Sequence, residues 1–244
     1  MGDFRFKQFA LSHERSTLKI GTDALLLATL TDVGNAQSLL DIGCGCGVVA
    51  FCLAQKLSAR TQHPLIYGTD PDEDSIAGCR DNAARFPLLA PQCFHFVPTR
   101  LQEFVPSAPG PFDLVVSNPP FFGNDLKPST TARLKSKHRD GQLPFPELLD
   151  GVCQLLHPEG RFVVILPYIE GEAFHRMACE RLHGVRRVFI RPTPTKPFHR
   201  VVLEYALRPV APLVEHELTI RDAQNRYTPA YAHLVHPFLQ NSNP

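Results

Sequence analysis

The sequence predicts an α/β fold built on a doubly wound, mostly parallel sheet. Short, continuous apolar runs alternate with amphipathic segments through most of the chain, as in strand–helix units whose sheet is covered on both faces. One apolar run ends in a glycine-rich loop, and a later one ends in Asn118-Pro119-Pro120-Phe121. Both loops fall at the carboxyl ends of predicted strands, where open α/β sheets bind their ligands.

Seven apolar segments have the length and composition of strands. They are Ser38–Ile42, Leu65–Thr69, Cys93–Val97, Phe112–Val116, Arg161–Leu166, Val185–Ile190 and Val201–Leu207. The amphipathic segments between them predict four helices, over Val48–Leu57, Asp72–Phe86, Phe145–Leu156 and Glu172–Leu182. Seven strands in this order predict a seven-stranded sheet.

The end of the predicted sheet is antiparallel. Pro192, Pro194 and Pro197 separate the last two strands and leave no room for a crossover helix, so these strands are expected to form a hairpin at the end of the sheet. No internal repeat or low-complexity linker divides the chain. We therefore expect a single domain over residues 1–244, with an amino-terminal segment, 1–36, and a Rossmann-like core, 37–244.

The composition is typical of a globular protein in a reducing compartment. Hydrophobic residues make up 43% of the chain and charged residues 20%, so a sizeable core is possible. The formal net charge of +1 identifies no partner. Seven cysteines without a CxxC pair argue against a disulfide framework. The chain shows neither an apolar signal segment nor a run of about 18 apolar residues, which predicts a cytoplasmic protein without a membrane span.

The glycine-rich loop lies within Asp41–Gly47, which reads Asp-Ile-Gly-Cys-Gly-Cys-Gly. Its GxGxG spacing is not the dinucleotide fingerprint, and the chain has no P-loop motif. Asp41 can hold an amino or sulfonium group, and Asp70, at the end of the next strand, can accept two ribose hydroxyls. A ligand with a ribose and a cationic centre but no pyrophosphate fits best, which favours S-adenosylmethionine (SAM). The alternative is a tight turn without a ligand. Cys44 and Cys46 lack partners at metal-ligand spacing, so no metal is expected.

The Asn118–Phe121 motif suits an amine acceptor. The lone pair of an adenine amino group is delocalised into the ring, which makes the nitrogen a poor nucleophile. The Asn118 side-chain oxygen and the Pro119 carbonyl can accept its two hydrogens, localise the lone pair and aim it at a methyl donor. Phe121 can stack on the base, a contact worth about 1–3 kcal/mol. The alternative is a proline-rich turn without a catalytic role.

Both motifs resemble those of class I SAM-dependent methyltransferases that act on amino groups. Further segments narrow the resemblance to the tRNA1(Val) (adenine(37)-N6)-methyltransferase family. They are Phe4–Phe9, Leu18–Asp23, Leu25–Leu27, Phe198–Val201, Leu218–Asp222 and Tyr227–Tyr231. The resemblance spans nearly the whole chain. It implies a class I fold, SAM as the methyl donor, and the N6 amine of adenine-37 in the anticodon loop of a tRNA as the acceptor.

The resemblance also implies where each ligand binds. SAM is expected against Thr22, Asp41, Gly43, Gly45, Gly47, Asp70 and Leu101, with residues 1–36 closing over it. The target base is expected at Asn118, Pro119, Pro120 and Phe121. A basic, non-periodic loop directly follows that motif, and it is expected to contact tRNA phosphates through Lys127, Arg133, Lys135, Lys137 and Arg139.

Two positions depart from the family pattern. Arg100 falls after the third strand, where an acid near the SAM adenine is common, and a guanidinium cannot accept a hydrogen bond. Gln102 or the backbone would have to replace that acceptor. Phe121 replaces a common tyrosine, which keeps the stacking and loses a hydroxyl contact. Two other functions stay open: methylation of another amino acceptor, such as an rRNA guanine or a protein glutamine, and binding of SAM or RNA without activity.

Overall fold

The structure is a computed structural model that describes residues 3–15, 20–119, 143–210 and 212–239. Its strands are β1 (Phe4–Arg5), β2 (Ala10–Leu11), β3 (Ser38–Ile42), β4 (Leu65–Asp70), β5 (Phe94–Pro98), β6 (Phe112–Ser117), β7 (Leu156–Pro167), β8 (His183–Arg191), β9 (Arg200–Ala206) and β10 (Val214–Thr219). Its helices are α1 (Thr22–Leu30), α2 (Val48–Ser58), α3 (Glu73–Ala84), α4 (Leu101–Phe104), α5 (Phe145–Leu155), α6 (Tyr168–Ala178) and α7 (Pro229–Val235).

One eight-stranded sheet carries the fold, with the strand order β10-β8-β9-β7-β6-β3-β4-β5. Every neighbouring pair is parallel except the two that involve β9, which is antiparallel to β7 and β8. The predicted α/β class, with its mostly parallel sheet and antiparallel hairpin, is therefore confirmed. The predicted number of seven strands was wrong, because β10 pairs in parallel with β8 and takes the edge. The β8–β9 hairpin consequently lies inside the sheet and not at its end.

Helices cover both faces of the sheet and enclose two apolar clusters. Helices α1, α2, α3 and α7 contribute to one cluster, and α4, α5 and α6 contribute to the other. Consecutive strand residues alternate between the two clusters. Leu39 and Leu114 belong to the first cluster, and the residues that follow them, Leu40 and Val115, belong to the second. A strand that is buried on both faces must be apolar throughout, which explains the continuous runs in the sequence.

Helix α1 was not among the predicted elements. All residues from Ala24 to Thr29 are buried, so the helix has no polar face and its sequence carries no helical period. The Lys56 ammonium donates hydrogen bonds to the carbonyl oxygens of Ala28, Thr29 and Thr31, at 2.8, 2.9 and 2.7 Å. These bonds satisfy carbonyls that the end of a helix leaves unpaired, and they anchor α1 to α2.

Two other predicted elements differ in their bounds. Helix α6 occupies Tyr168–Ala178 where Glu172–Leu182 was expected, because it begins directly after Pro167. Strand β7 starts at Leu156, ahead of the predicted Arg161, because Leu156 already pairs with Phe112 of β6. The predicted loop 127–142 lies outside the described residues. Within the described ranges no helix is both long and apolar enough to cross a membrane. The division into segments 1–36 and 37–244 stays a prediction.

The amino-terminal segment is attached to α3 through Asn82, a residue that is only 1% exposed. Its side-chain oxygen accepts a hydrogen bond from the Ser12 amide at 3.0 Å, and its amide nitrogen donates to the Ser12 carbonyl at 2.9 Å. This pair of bonds imitates the pairing of two strands. It places the chain ahead of α1 beside the helix that follows β4.

Candidate active site

The glycine-rich loop connects β3 to α2 through backbone that only glycine adopts easily. Gly43, Gly45 and Gly47 have φ angles of 71°, 51° and 76°. The Gly47 amide donates to the Cys44 carbonyl at 2.8 Å, which closes a tight turn. A β-carbon on Gly43 would meet no atom within 4 Å, so the space above that residue is open to a ligand. The loop therefore leaves room for a group to approach the backbone closely.

Asp41 and Asp70 lie on the two strands that flank this loop. Asp41 is 1% exposed, and its Oδ2 accepts a hydrogen bond from the Ala50 amide of α2 at 3.1 Å. Burial raises its pKa to about 7. Asp70 Oδ2 accepts from the Gly45 amide and Oδ1 from the Asp72 amide, both at 2.9 Å. Burial raises the pKa of Asp70 as well. Asp70 thus fixes the glycine loop to the end of β4.

Asn118 follows β6, the strand beside β3. The Ser117 hydroxyl donates to the Ile42 carbonyl at 2.9 Å, which fixes the end of β6 against the start of the glycine loop. Asn118 lines a cleft of about 430 Å³ together with Asp41 and Gly43. Its side-chain amide makes no hydrogen bond to any residue that the structure describes. Pro119 is buried, whereas Pro120 and Phe121 lie outside the described residues.

The start of α1 and the start of β9 also line the cleft. Thr22 and Asp23 belong to the first turn of the helix, Arg200 is the first residue of the strand, and His199 directly precedes it. Arg200 Nε donates to Asp23 Oδ2 at 2.8 Å, and Arg200 Nη1 donates to the His199 carbonyl at 2.9 Å. The sequence reasoning included Thr22 but assigned no site role to Arg200. The only signal was its place in a segment that resembles the methyltransferase family.

The structure brings Thr22, Asp41, Gly43, Gly45 and Asn118 to one cleft. Of the described site residues, Gly47 and Asp70 do not line the cleft: Asp70 bonds to Gly45, and a β-carbon on Gly47 would stand 2.9 Å from the Phe51 ring. Leu101 does not line this cleft: it is 4% exposed and packs against Gly151 of α5. The roles of all these residues stay predictions that the geometry accommodates.

The region expected to face the SAM adenine lies next to Asp70. The Thr99 amide donates to the Asp70 carbonyl at 3.0 Å, so Arg100 directly follows a residue bonded to the end of β4. Arg100 occupies the position before α4, and its side chain does not cap that helix. Gln102 donates to the Glu147 carboxylate of α5. The side-chain nitrogen of Gln102 is therefore already bonded, and the side-chain oxygen of Gln102 is the atom that could accept a hydrogen bond from the SAM adenine.

No metal centre is apparent among the described residues, where no group of three His, Cys, Asp or Glu side chains converges. Burial raises the pKa of Cys46 to about 11, and a hydrogen bond with Cys79 together with burial raises that of Cys44. Both thiols stay protonated at neutral pH, which suits small fillers of a tight loop better than metal ligands. The five predicted phosphate contacts, from Lys127 to Arg139, lie outside the described residues.

The parallel sheet, the glycine loop at its first central strand and the acid at the end of the neighbouring strand together define a class I SAM-dependent methyltransferase. A family model of a methyltransferase domain matches residues 34–193. A predicted O-methyltransferase from Agrobacterium tumefaciens has a similar structure, with a TM-score of 0.65, 17% identity, and coverage of 88% of this chain and 96% of that one. TrmN from Thermus thermophilus aligns with a TM-score of 0.55 and 19% identity, over 76% of this chain and 48% of its own. At these identities the likeness concerns the fold alone.

Sequence relatives identify the family. The tRNA1(Val) (adenine(37)-N6)-methyltransferase of Photorhabdus laumondii is 34% identical over 96% of this chain and 94% of its own length. Enzymes of the same name from Parabacteroides distasonis and Serratia proteamaculans are 32% and 34% identical, over 96% and 97% of this chain and 96% and 89% of their own lengths. The chain belongs to the tRNA1(Val) (adenine(37)-N6)-methyltransferase family, and the resemblance inferred from its motifs is confirmed.

Proposed function

We propose that this protein transfers the methyl group of SAM to the N6 amine of adenine-37 in tRNA1(Val). The observation that carries the proposal is that Asn118 and the glycine loop line the same cleft. An amide without a partner among the described residues thus stands beside the backbone that suits the methyl donor. The near-complete coverage of relatives with this activity supports the same acceptor.

The proposed role of Asn118 and Pro119 is to hold the target amine. The Asn118 side-chain oxygen and the Pro119 carbonyl accept its two hydrogens, which turns the nitrogen lone pair toward the methyl donor. Proline fixes φ and keeps the carbonyl in place. Phe121 stacks on the base. These residues act by positioning and electrostatics, and the proton leaves after the transfer, so the site requires no strong general base.

The residues around the glycine loop fit SAM. Asp70 would accept hydrogen bonds from the ribose hydroxyls, since among the described residues each of its carboxylate oxygens has one backbone donor and keeps a second lone pair. Asp41, with one oxygen bonded to Ala50, would face a cationic group with the other. SAM itself supplies an electrophilic methyl group on a sulfonium. The open space above Gly43 lets the ligand lie against the backbone.

The proposal extends to the tRNA and to the compartment. The basic loop from Lys127 to Arg139 directly follows the catalytic motif in sequence and would bind phosphates of the anticodon stem-loop. A base in that loop is already unpaired, which reduces the cost of extruding it. A tRNA-modifying enzyme of this kind would act in the cytoplasm.

The two alternatives predict different products. A methyltransferase with another amino acceptor would label rRNA or protein, and a binding protein without activity would label nothing. Arg100 is the residue that favours the second alternative, because it stands where an acid commonly faces the SAM adenine.

The decisive experiment supplies labelled SAM together with total tRNA from a strain that lacks this enzyme. The proposal predicts label in one valine tRNA, recovered as N6-methyladenosine after nucleoside analysis. Parallel reactions with ribosomes and with a protein extract serve as controls. Label that appears only in rRNA or protein, or in no fraction, would contradict the proposed acceptor.

A further inference from the structure

An ion pair between two residues that line the cleft joins distant parts of the chain. Asp23 belongs to the first turn of α1, and Arg200 is the first residue of β9. Their 2.8 Å contact holds the guanidinium by its Nε, and the His199 carbonyl holds Nη1. Both side chains keep about a quarter of their surface exposed, 26% for Asp23 and 27% for Arg200. The guanidinium is thus fixed in orientation while part of it still faces the cleft.

The unused N–H donors of Arg200 suit an anionic ligand. Nη2 donates to no residue in the part of the chain that the structure describes, so the guanidinium keeps free N–H groups beside the cleft. A fixed guanidinium binds a carboxylate or phosphate through two parallel hydrogen bonds. A group that only filled a structural role would have no need to keep these donors available at a ligand cleft.

The charges along the cleft are mixed, and they identify the ligand further. Asp23 supplies negative charge, Arg200 supplies positive charge, and Asp41 adds a second negative charge when it is ionised beside a cation; the open glycine backbone lies beside them. Such a set complements a zwitterion with an ammonium and a carboxylate close together. An α-amino acid group has this charge arrangement, and the methionine end of SAM is such a group.

We propose that Arg200 binds the α-carboxylate at the methionine end of the methyl donor, with Asp23 as the residue that positions its guanidinium. Asp41 would face the α-ammonium on the other side of the same cleft. The inference rests on the proposed function for the identity of the donor, but it assigns a role to two residues outside the glycine loop. It implies that the donor is recognised at its amino-acid end as well as at its ribose.

An RNA phosphate is the competing anion, and the cleft suits it less well. Two carboxyl groups, Asp23 and Asp41, line the same cleft; in their ionised form they would repel a phosphodiester, whereas they attract the ammonium of a zwitterion. Four residues of the glycine loop line the cleft with Arg200, and that loop is where the methyl donor is proposed to bind.

Binding of two nucleosides, measured without methyl transfer, distinguishes a role of Arg200 in holding the α-carboxylate of the methyl donor from a role in holding an RNA phosphate. S-adenosylhomocysteine carries the amino-acid group, and 5′-methylthioadenosine shares its adenosine and sulfur but lacks that group. Calorimetry with the wild-type protein is expected to show tighter binding of S-adenosylhomocysteine. Arg200→Gln is expected to weaken that binding by about tenfold or more, the value of a charge-assisted hydrogen bond, and to leave 5′-methylthioadenosine within about twofold. Asp23→Asn is expected to produce a smaller loss with the same selectivity.

Matched variants make the test specific. Arg191→Gln removes another guanidinium of the hairpin, one that is paired with Glu217 and stacks on Phe198 outside the cleft, and both affinities are expected to stay unchanged. Arg200→Lys keeps the charge without the planar fork and is expected to recover part of the lost affinity. It also serves as the test variant if Arg200→Gln does not fold.

The outcomes are distinguishable. Equal losses for both nucleosides, or no loss for either, would overturn the role of Arg200 while leaving the methyltransferase function intact. Unchanged nucleoside binding combined with weaker binding of an anticodon stem-loop RNA would make Arg200 a phosphate contact and would also overturn it. A wild-type protein that binds neither nucleoside would contradict the proposed function itself.

Discussion

Asp41 is the residue at which burial and the charge of the proposed ligand would act together. The carboxyl group lines the cleft but is only 1% exposed, and desolvation raises its pKa to about 7. Among the described residues, one backbone amide, that of Ala50, donates to it. Ionisation of this group is therefore costly without a ligand and becomes favourable beside a cation. The residue can thus couple cofactor binding to pH within the physiological range.

The affinity for S-adenosylhomocysteine is expected to strengthen as the pH rises from about 5 to about 8, because its ammonium favours ionised Asp41. The stability of the unliganded protein follows the opposite trend. Because the pKa of Asp41 is raised on folding, the folded state binds the proton more tightly than the unfolded state. Asp41 therefore lowers the free energy of unfolding as the pH rises toward 7. Calorimetry across this range checks the first trend, and thermal melts without ligand check the second.

Asp41→Asn is the control for this coupling. It can keep a hydrogen bond to Ala50 but cannot titrate, so its affinity should be lower at neutral pH and nearly independent of pH. If the affinity of this variant for S-adenosylhomocysteine changed with pH in the same way as that of the wild type, a group other than Asp41 would cause the pH dependence.

At the scale of elements, the glycine loop combines two kinds of constraint. Gly43 and Gly47 both have left-handed backbone, with φ angles of 71° and 76°. They differ in their surroundings, because a β-carbon would meet open space at Gly43 but the Phe51 ring and the Cys79 sulfur at Gly47, at 2.9 and 3.0 Å. The first glycine therefore preserves ligand space, and the second also allows α2 and α3 to pack against the loop.

The two alanine substitutions should separate these constraints. Gly43→Ala is expected to cost about 1–2 kcal/mol of unfolding free energy, from backbone strain alone. Gly47→Ala should cost about 1–3 kcal/mol more, since it adds overpacking to the same strain. Urea denaturation of both variants measures the difference. Equal stabilities would mean that the packing around Gly47 relaxes freely.

The elements that the sequence predicted well are those whose pattern is local. β3, β4 and β6 are continuous apolar runs between turn signals, and their limits agree with the predicted ones within a residue or two. Helix α1 was not predicted, because a helix that is buried on all sides has no polar face and its sequence shows no helical periodicity of apolar residues. β10 escaped because its first residues are largely exposed and it pairs with β8 across a distance in sequence that no local pattern records.

The whole molecule brings the site together from residues far apart in the chain. Asp41 lies in β3, Asn118 directly follows β6 and Arg200 begins β9, and the sheet order makes these residues neighbours. The glycine loop and the Asn118 motif were predictable because each carries its chemistry in a few consecutive residues. The Asp23–Arg200 pair was not, because its proposed role depends on a contact between residues that are 177 positions apart in the chain.

The proposed tRNA interface includes the basic segment Lys127–Arg139. Reversing two charges of that segment, with Lys135→Glu and Lys137→Glu, is expected to weaken tRNA binding and to reduce its dependence on salt, because fewer counterions are released. Filter binding over a series of salt concentrations measures the slope. Arg60→Glu, at an exposed position just after α2, is the matched control and should leave the slope unchanged. An unaltered slope in the double variant would remove the loop from the interface.

The proposed methyl transfer depends on Asn118, which would hold the acceptor amine in the cleft beside the glycine loop. The variant Asn118→Ala tests this role, with calorimetry for S-adenosylhomocysteine and labelled methyl transfer to valine tRNA measured on the same protein. We predict cofactor affinity within about threefold of wild type and a loss of transfer rate of about 100-fold or more, since one acceptor for the amine is gone. Exposed Asn35→Ala should match the wild type in both measurements. An Asn118→Ala variant that methylates tRNA at the wild-type rate would show that Asn118 does not hold the amine.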